Sequence, residues 1–207
     1  MSRQQGCKNY SVWVCGLFLT GWIATVNAHH VIVDTDYVLK NKDKPGVILI
    51  DARGASDYKK GLIPGAVVLG EKAGAVALRD VDARILPVTK LEKILGEAGI
   101  TRENELIVYG TKSDTGPTVV FWILEYLGAE KARVYLGGID DWMKAKQPLT
   151  NEARKLPAAK FTAKVQADRL ATTEFVKKSL KSKEVQFIDS RTVKENAGED
   201  IRAVRGG

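Results

Sequence analysis

Asp51 and Arg53 sit two positions apart at the end of an apolar run, and Asp189 and Arg191 repeat the arrangement 138 positions later. A carboxylate so placed can accept loop N–H groups, while the guanidinium ties a neighbouring loop. The pattern suits a structural hydrogen-bond hub better than direct chemistry. The second candidate is Gly110-Thr111-Lys112-Ser113-Asp114-Thr115-Gly116, between an apolar run and a segment of helical periodicity. Glycines ahead of a helix N-terminus let backbone N–H groups converge on an anion, and Lys112 adds positive charge. Asp114 opposes this by repulsion, so the loop reads either as an anion cradle or as purely structural. The hydroxyls of Thr111, Ser113 and Thr115 ionise far too weakly to act as nucleophiles without a base. Histidine occurs only at His29 and His30, cysteine only at Cys7 and Cys15, and no spacing suggests a metal site.

Strands must end where these residues begin. Val31 to Val33 reads as a short strand, with Asp34 or Thr35 capping a helix to about Asn41. After the Lys44-Pro45-Gly46 turn, Val47 to Ile50 is a continuous apolar strand of the buried, parallel type. Ser56 to Lys60 predicts a short helix closed by Gly61, and Leu62 to Val67 a turn feeding another strand. Thr89 caps a helix through Ala98, with Leu91, Ile94 and Leu95 on one face. Leu106 to Tyr109 is the next strand. Pro117 opens a helix to about Leu127, and Ala132 to Leu136 forms a further strand. Gly137-Gly138 makes a tight turn before a helix over Asp140–Lys144. Strand and helix alternate, which predicts an α/β fold with a central, mainly parallel sheet flanked by helices.

The 207 residues are 44% hydrophobic and 28% charged, ordinary for a globular protein. Arg3 and Lys8 precede an uncharged apolar run from Ser11 to Val26, and Val26-Asn27-Ala28 offers the small residues of a cleavage site. Residues 1–28 are therefore read as a signal peptide, with an uncleaved anchor as the alternative. The expected location is periplasmic or secreted, without stable membrane insertion after cleavage. Cleavage would leave no cysteine, and so neither a disulfide nor thiolate chemistry in these residues. The net charge of +7 falls to +5 with Arg3 and Lys8 removed. The lysines are interspersed with acids, which fits a solvated surface and not a nucleic-acid partner.

The repeat extends upstream, Val47-Ile48-Leu49-Ile50 matching Val185-Gln186-Phe187-Ile188. Its offset is about one small domain. The expected organisation is one complete unit over 29–148, a polar linker over 149–160, and over 161–207 the opening of a second copy. That copy has too few strands to bury a core.

Asp51-Ala52-Arg53, Leu62-Ile63-Pro64-Gly65-Ala66 and Leu136-Gly137-Gly138 with Trp142 resemble, in order and spacing, the rhodanese-like sulfurtransferases. The repeat resembles the tandem two-domain type, truncated within its second domain. The resemblance implies sulfur transfer from thiosulfate or a persulfide to cyanide or a thiol, through a cysteine directly after the strand Leu106–Tyr109. Here that position is Gly110, so the first unit is expected to be catalytically inactive. The catalytic cysteine would lie beyond residue 207. The resemblance also implies a small sulfur-containing anion or thiol acceptor as partner, a second rhodanese domain in cis, and no cofactor. Asp51, Arg53, Asp189 and Arg191 become supporting residues. Thiosulfate-using members place a substrate-binding arginine four positions after the second Asp-x-Arg arginine; this chain has Glu195 there, beside Lys194. The alternative function is a non-catalytic rhodanese-like binding or regulatory module.

Overall fold

The computed structural model describes residues 30–70 and 72–201. The proposed signal peptide and its cleavage site lie outside them. Five parallel strands form one sheet in the order β1-β5-β4-β2-β3: β1 Ile32–Val33, β2 Val47–Asp51, β3 Ala66–Val68, β4 Glu105–Tyr109 and β5 Ala132–Tyr135. Parallel strands need crossovers, and helices supply them on both faces. These are α1 Thr35–Asn41, α2 Ala55–Tyr58, α3 Val88–Glu97, α4 Gly116–Tyr126 and α5 Gly138–Lys144.

Side-chain alternation divides the core in two. Ile48 and Ile50 of β2, with Leu106 and Val108 of β4, face Leu91 and Leu95 of α3 and Val120, Ile123 and Leu124 of α4. Val47, Leu49, Ile107 and Tyr109 point the other way, towards Val38 of α1 and Ile139 and Trp142 of α5. The central strands are buried at nearly every residue, as a sheet covered on both faces requires.

Several boundaries differ from the sequence reading. Asp34, one of the two expected caps, does cap α1, accepting from Tyr37 N–H at 2.8 Å. Thr89 does not cap α3; Pro87 is the N-cap and Val88 the first helical residue. Proline biases Leu86, the residue before it, against helical geometry, so the helix does not extend upstream of Pro87. α4 starts at Gly116, one residue ahead of Pro117, and α5 at Gly138, two ahead of Asp140. A 3₁₀ turn over Gly74–Leu78 had no sequence expectation.

The stretch read as a linker packs against the first unit. Leu62 and Thr150 exchange N–H···O bonds of 2.8 and 2.9 Å, and Arg154 N–H reaches Ala66 O at 2.7 Å. Ala159 N–H bonds Gly96 O, Lys164 N–H bonds Leu127 O, and Gln166 N–H bonds Tyr126 O. Phe161, assigned from sequence to the second copy, is 3% exposed within the first unit's core. Lysines and prolines give this strap a loop-like composition, but its apolar residues are spaced to enter the core while its backbone bonds to helix ends.

Further on, α6 spans Thr173–Ser179 and α7 Val193–Asn196. Val185–Ile188, which the repeat matches to the strand Val47–Ile50 and so predicts to be a strand, does not form one. Ile50 in the first copy sits on a strand paired on both sides, by β3 and β4. Phe187 and Ile188 have no such neighbours and are 49% and 83% exposed. A lone strand without ladder partners is not stable in water.

Candidate functional site

Asp51 closes β2 and is fully buried. Its Oδ1 accepts from Arg53 N–H and Nε, both at 3.0 Å; its Oδ2 accepts from Arg53 Nη2 at 2.6 Å and Tyr109 OH at 2.8 Å. Arg53 Nη2 also donates to Gly61 O at 2.7 Å, and Tyr109 OH accepts from Ile63 N–H at 3.0 Å. One carboxylate thus joins the ends of β2 and β4 to the turn 61–65. Burial opposes the Arg53 charge, but Asp51 outweighs it and raises the guanidinium pKa further.

Burial first, then the Asp51 charge, push the Tyr109 phenol well above its ordinary value near 10. Above about pH 10 an unfolded chain releases this proton while the folded chain retains it, so stability falls as pH rises. Tyr109→Phe should remove part of that alkaline loss, with Tyr37 and Tyr135, also raised by burial, keeping the rest. At pH 7 the variant should cost about 1–3 kcal/mol, because Ile63 N–H and Asp51 lose a partner. Urea midpoints at neutral and alkaline pH measure both effects.

The loop Gly110–Gly116 leaves β4 beside this hub. Gly110 O accepts Ile139 N–H at 2.9 Å. Gly138 passes so near, with φ 56°, that a Cβ there would lie 2.1 Å from Gly110 O. Only glycine allows that approach. Lys112 N–H donates to Asp140 Oδ2 at 2.7 Å and Gly116 N–H to Asp114 Oδ1 at 2.8 Å. Two N–H groups that an anion cradle would use are therefore held by the chain's own carboxylates. Asp114 N–H bonds Thr111 O at 3.1 Å, and Thr118 Oγ1 bonds Thr115 O. Ser113 is exposed.

Asp189 and Arg191 reproduce the first hub almost atom for atom. Arg191 N–H and Nε donate to Asp189 Oδ1 at 2.9 and 3.0 Å, and Nη2 to Oδ2 at 2.7 Å. Asn196 Nδ2 stands at Oδ2, 2.8 Å away, where Tyr109 stands in the first copy. Bonds from Arg191 and Asn196 hold the Asp189 carboxyl well below the usual carboxylate range. Glu195 is committed to a capping box with Thr192. This second hub is exposed.

Tyr109 and Asp140 went unnoticed in the sequence. Tyr109 reads as one more strand residue, although a hydroxyl at the last buried position of a central strand needs a partner. Asp140 carries no comparable signal, because its contact with Lys112 joins residues 28 apart.

A parallel α/β sheet, with an Asp–Arg hub and a strand–loop–helix at its carboxyl edge, defines the class. The chain belongs to the rhodanese-like family: the Rhodanese-like domain matches residues 34–145, more than half of its length. The thiosulfate sulfurtransferase of Azotobacter vinelandii is 24% identical over 163 residues, covering 79% of this chain and 60% of that protein. The thiosulfate sulfurtransferase of Pseudomonas aeruginosa matches with the same identity and shares. The chain spans about three fifths of the length of these curated relatives. The crystal structure of an Escherichia coli 3-mercaptopyruvate sulfotransferase is similar with TM-score 0.68 and 26% identity, covering 79% of this chain and 66% of that one. An anaerobic ergothioneine biosynthesis enzyme from Chlorobium limicola also gives 0.68, at 23% identity, covering 82% and 46%; at that identity the likeness is one of fold.

Proposed function

We propose that this chain is part of an exported rhodanese-type sulfurtransferase, in which residues 29–148, with the strap packed on them, form a non-catalytic domain supporting a second, cysteine-bearing one. In the reaction, a thiolate takes the outer sulfur of thiosulfate, sulfite leaves with the S–S electron pair, and the persulfide sulfur passes to cyanide or a thiol. The observation that carries this reading is Gly110, which has no side chain to bear sulfur, in the loop where the family has cysteine. The recurrence of the hub at Asp189 and Arg191 supports a second copy. The thiosulfate sulfurtransferase relatives support the donor class.

Thiocyanate production from thiosulfate and cyanide is the test. The 207-residue chain should show none, and a longer product of the same gene should turn over through a cysteine in a second loop. Enzymatic turnover by the 207 residues alone would overturn the reading.

A second reading, a non-catalytic module, is favoured by the occupied loop N–H groups. A longer gene product that also lacks a loop cysteine would establish it. Installing the missing residue should not rescue activity. A Cβ at Gly110 would lie 2.6 Å from Cγ and 3.0 Å from Cδ of Pro117, a ring that cannot swing aside. Gly110→Cys should therefore destabilise the fold by about 1–3 kcal/mol and give at most trace transfer.

A further inference from the structure

We propose that the cleft beside the loop, bounded by Asp34, Thr35, Lys112, Tyr135 and Asp141, binds a small zwitterion, an α-amino acid with a short apolar or thioether side chain. The cleft lies at the carboxyl ends of β1 and β5 and measures about 390 Å³, the lower end of the range for small-ligand sites. Ligands of open α/β sheets bind at the carboxyl ends of the strands; this cleft lies there beside the edge strand β1, away from the switch point between β4 and β2. The proposal does not depend on sulfur transfer.

Several of its polar groups are held by hydrogen bonds within the chain. Asp34 is held by capping α1, with Oδ1 on Tyr37 N–H. Lys112 has its backbone N–H on Asp140, so its side chain leaves from an anchored point. Tyr135 OH and Thr35 Oγ1 are 2.6 Å apart, and Tyr135 is buried. Asp34 and Asp141 line the same cleft as that hydroxyl. Among the described residues, Asp34, Asp141 and Lys112 have no ion-pair partner. The same cleft is walled by Ile32 and Leu136, apolar side chains left 60% and 52% exposed.

These features select by elimination. A simple anion meets repulsion from Asp34 and Asp141, whereas an amine alone leaves Lys112 unmatched. A zwitterion meets both: its ammonium lies by the carboxylates, its carboxylate by Lys112 and its side chain on Ile32 and Leu136.

The test is a ¹⁵N NMR titration of the full chain with L-methionine, alongside 3-(methylthio)propylamine, which lacks the carboxylate, and 3-(methylthio)propionate, which lacks the ammonium. Methionine should give saturable shifts at residues 32–35, 112 and 135–141, with a dissociation constant of about 1 mM. Both half-ligands should bind about tenfold more weakly or worse, and Asp141→Asn and Lys112→Met should each weaken methionine by a similar factor. No saturation by about 50 mM, half-ligands as tight as methionine, or variants that bind unchanged would overturn the proposal. Lys112 is exposed on a loop, so Lys112→Met decides the matter if Asp141→Asn fails to fold.

Discussion

A chain ending after Arg154 is expected to be unfolded or aggregated, while one ending after Leu170 remains folded and becomes more soluble. The shorter chain loses Leu156 and Phe161, which pack into the core over α3 and α4. It also loses the bonds from Ala159, Lys164 and Gln166 to Gly96, Leu127 and Tyr126, and that from Ala163 N–H to Glu92. Phe161→Ala alone should cost about 3–5 kcal/mol, the usual cost of emptying a buried aromatic site. That is a large part of the ~5–15 kcal/mol that holds a typical domain together. The longer truncation removes only α6, α7 and the exposed Phe187 and Ile188, whose apolar surface favours association. Urea denaturation of the two truncations and of Phe161→Ala measures this. Equal stability of the two truncated chains would return the strap to the status of a linker.

The strap also marks where sequence reading loses its grip. The central strands β2 and β4 announce themselves by apolar runs, because burial on both faces demands them, and so the alternation of strand and helix is legible. Val185 to Ile188 carries the same signal and forms no strand. The pattern records only what a segment can do when neighbours exist, and β3 and β4 have no counterparts beside it among the described residues. Phe161 shows the converse: a single aromatic in a lysine- and proline-rich stretch has no period, yet distant helices supply its burial. Within the site, Asp51 and Arg53 are legible because they lie two residues apart and bond each other. Tyr109 joins them through a contact across 58 residues, and Asp140 joins Lys112 across 28, contacts that no local motif encodes.

Asp51→Ala should lower stability by about 3–5 kcal/mol, because it leaves Arg53 buried and charged with Gly61 O as its remaining acceptor. Tyr109 OH would lose its acceptor in the same step. Removing the charge on both sides, Asp51→Asn with Arg53→Met, should recover part of the loss, since the uncompensated ion is gone. The second copy supplies an internal control. Asp189→Ala removes the same set of arginine bonds, but there the two side chains are 38% and 46% exposed and water takes over the guanidinium. No shift of the urea midpoint is expected from it. The two substitutions differ in burial and hardly at all in local geometry, so the gap between them measures what enclosure in the sheet adds to an Asp-x-Arg motif. A similar loss from both would mean that the motif stabilises through its local turn alone, and that the Tyr109 and Gly61 contacts are incidental.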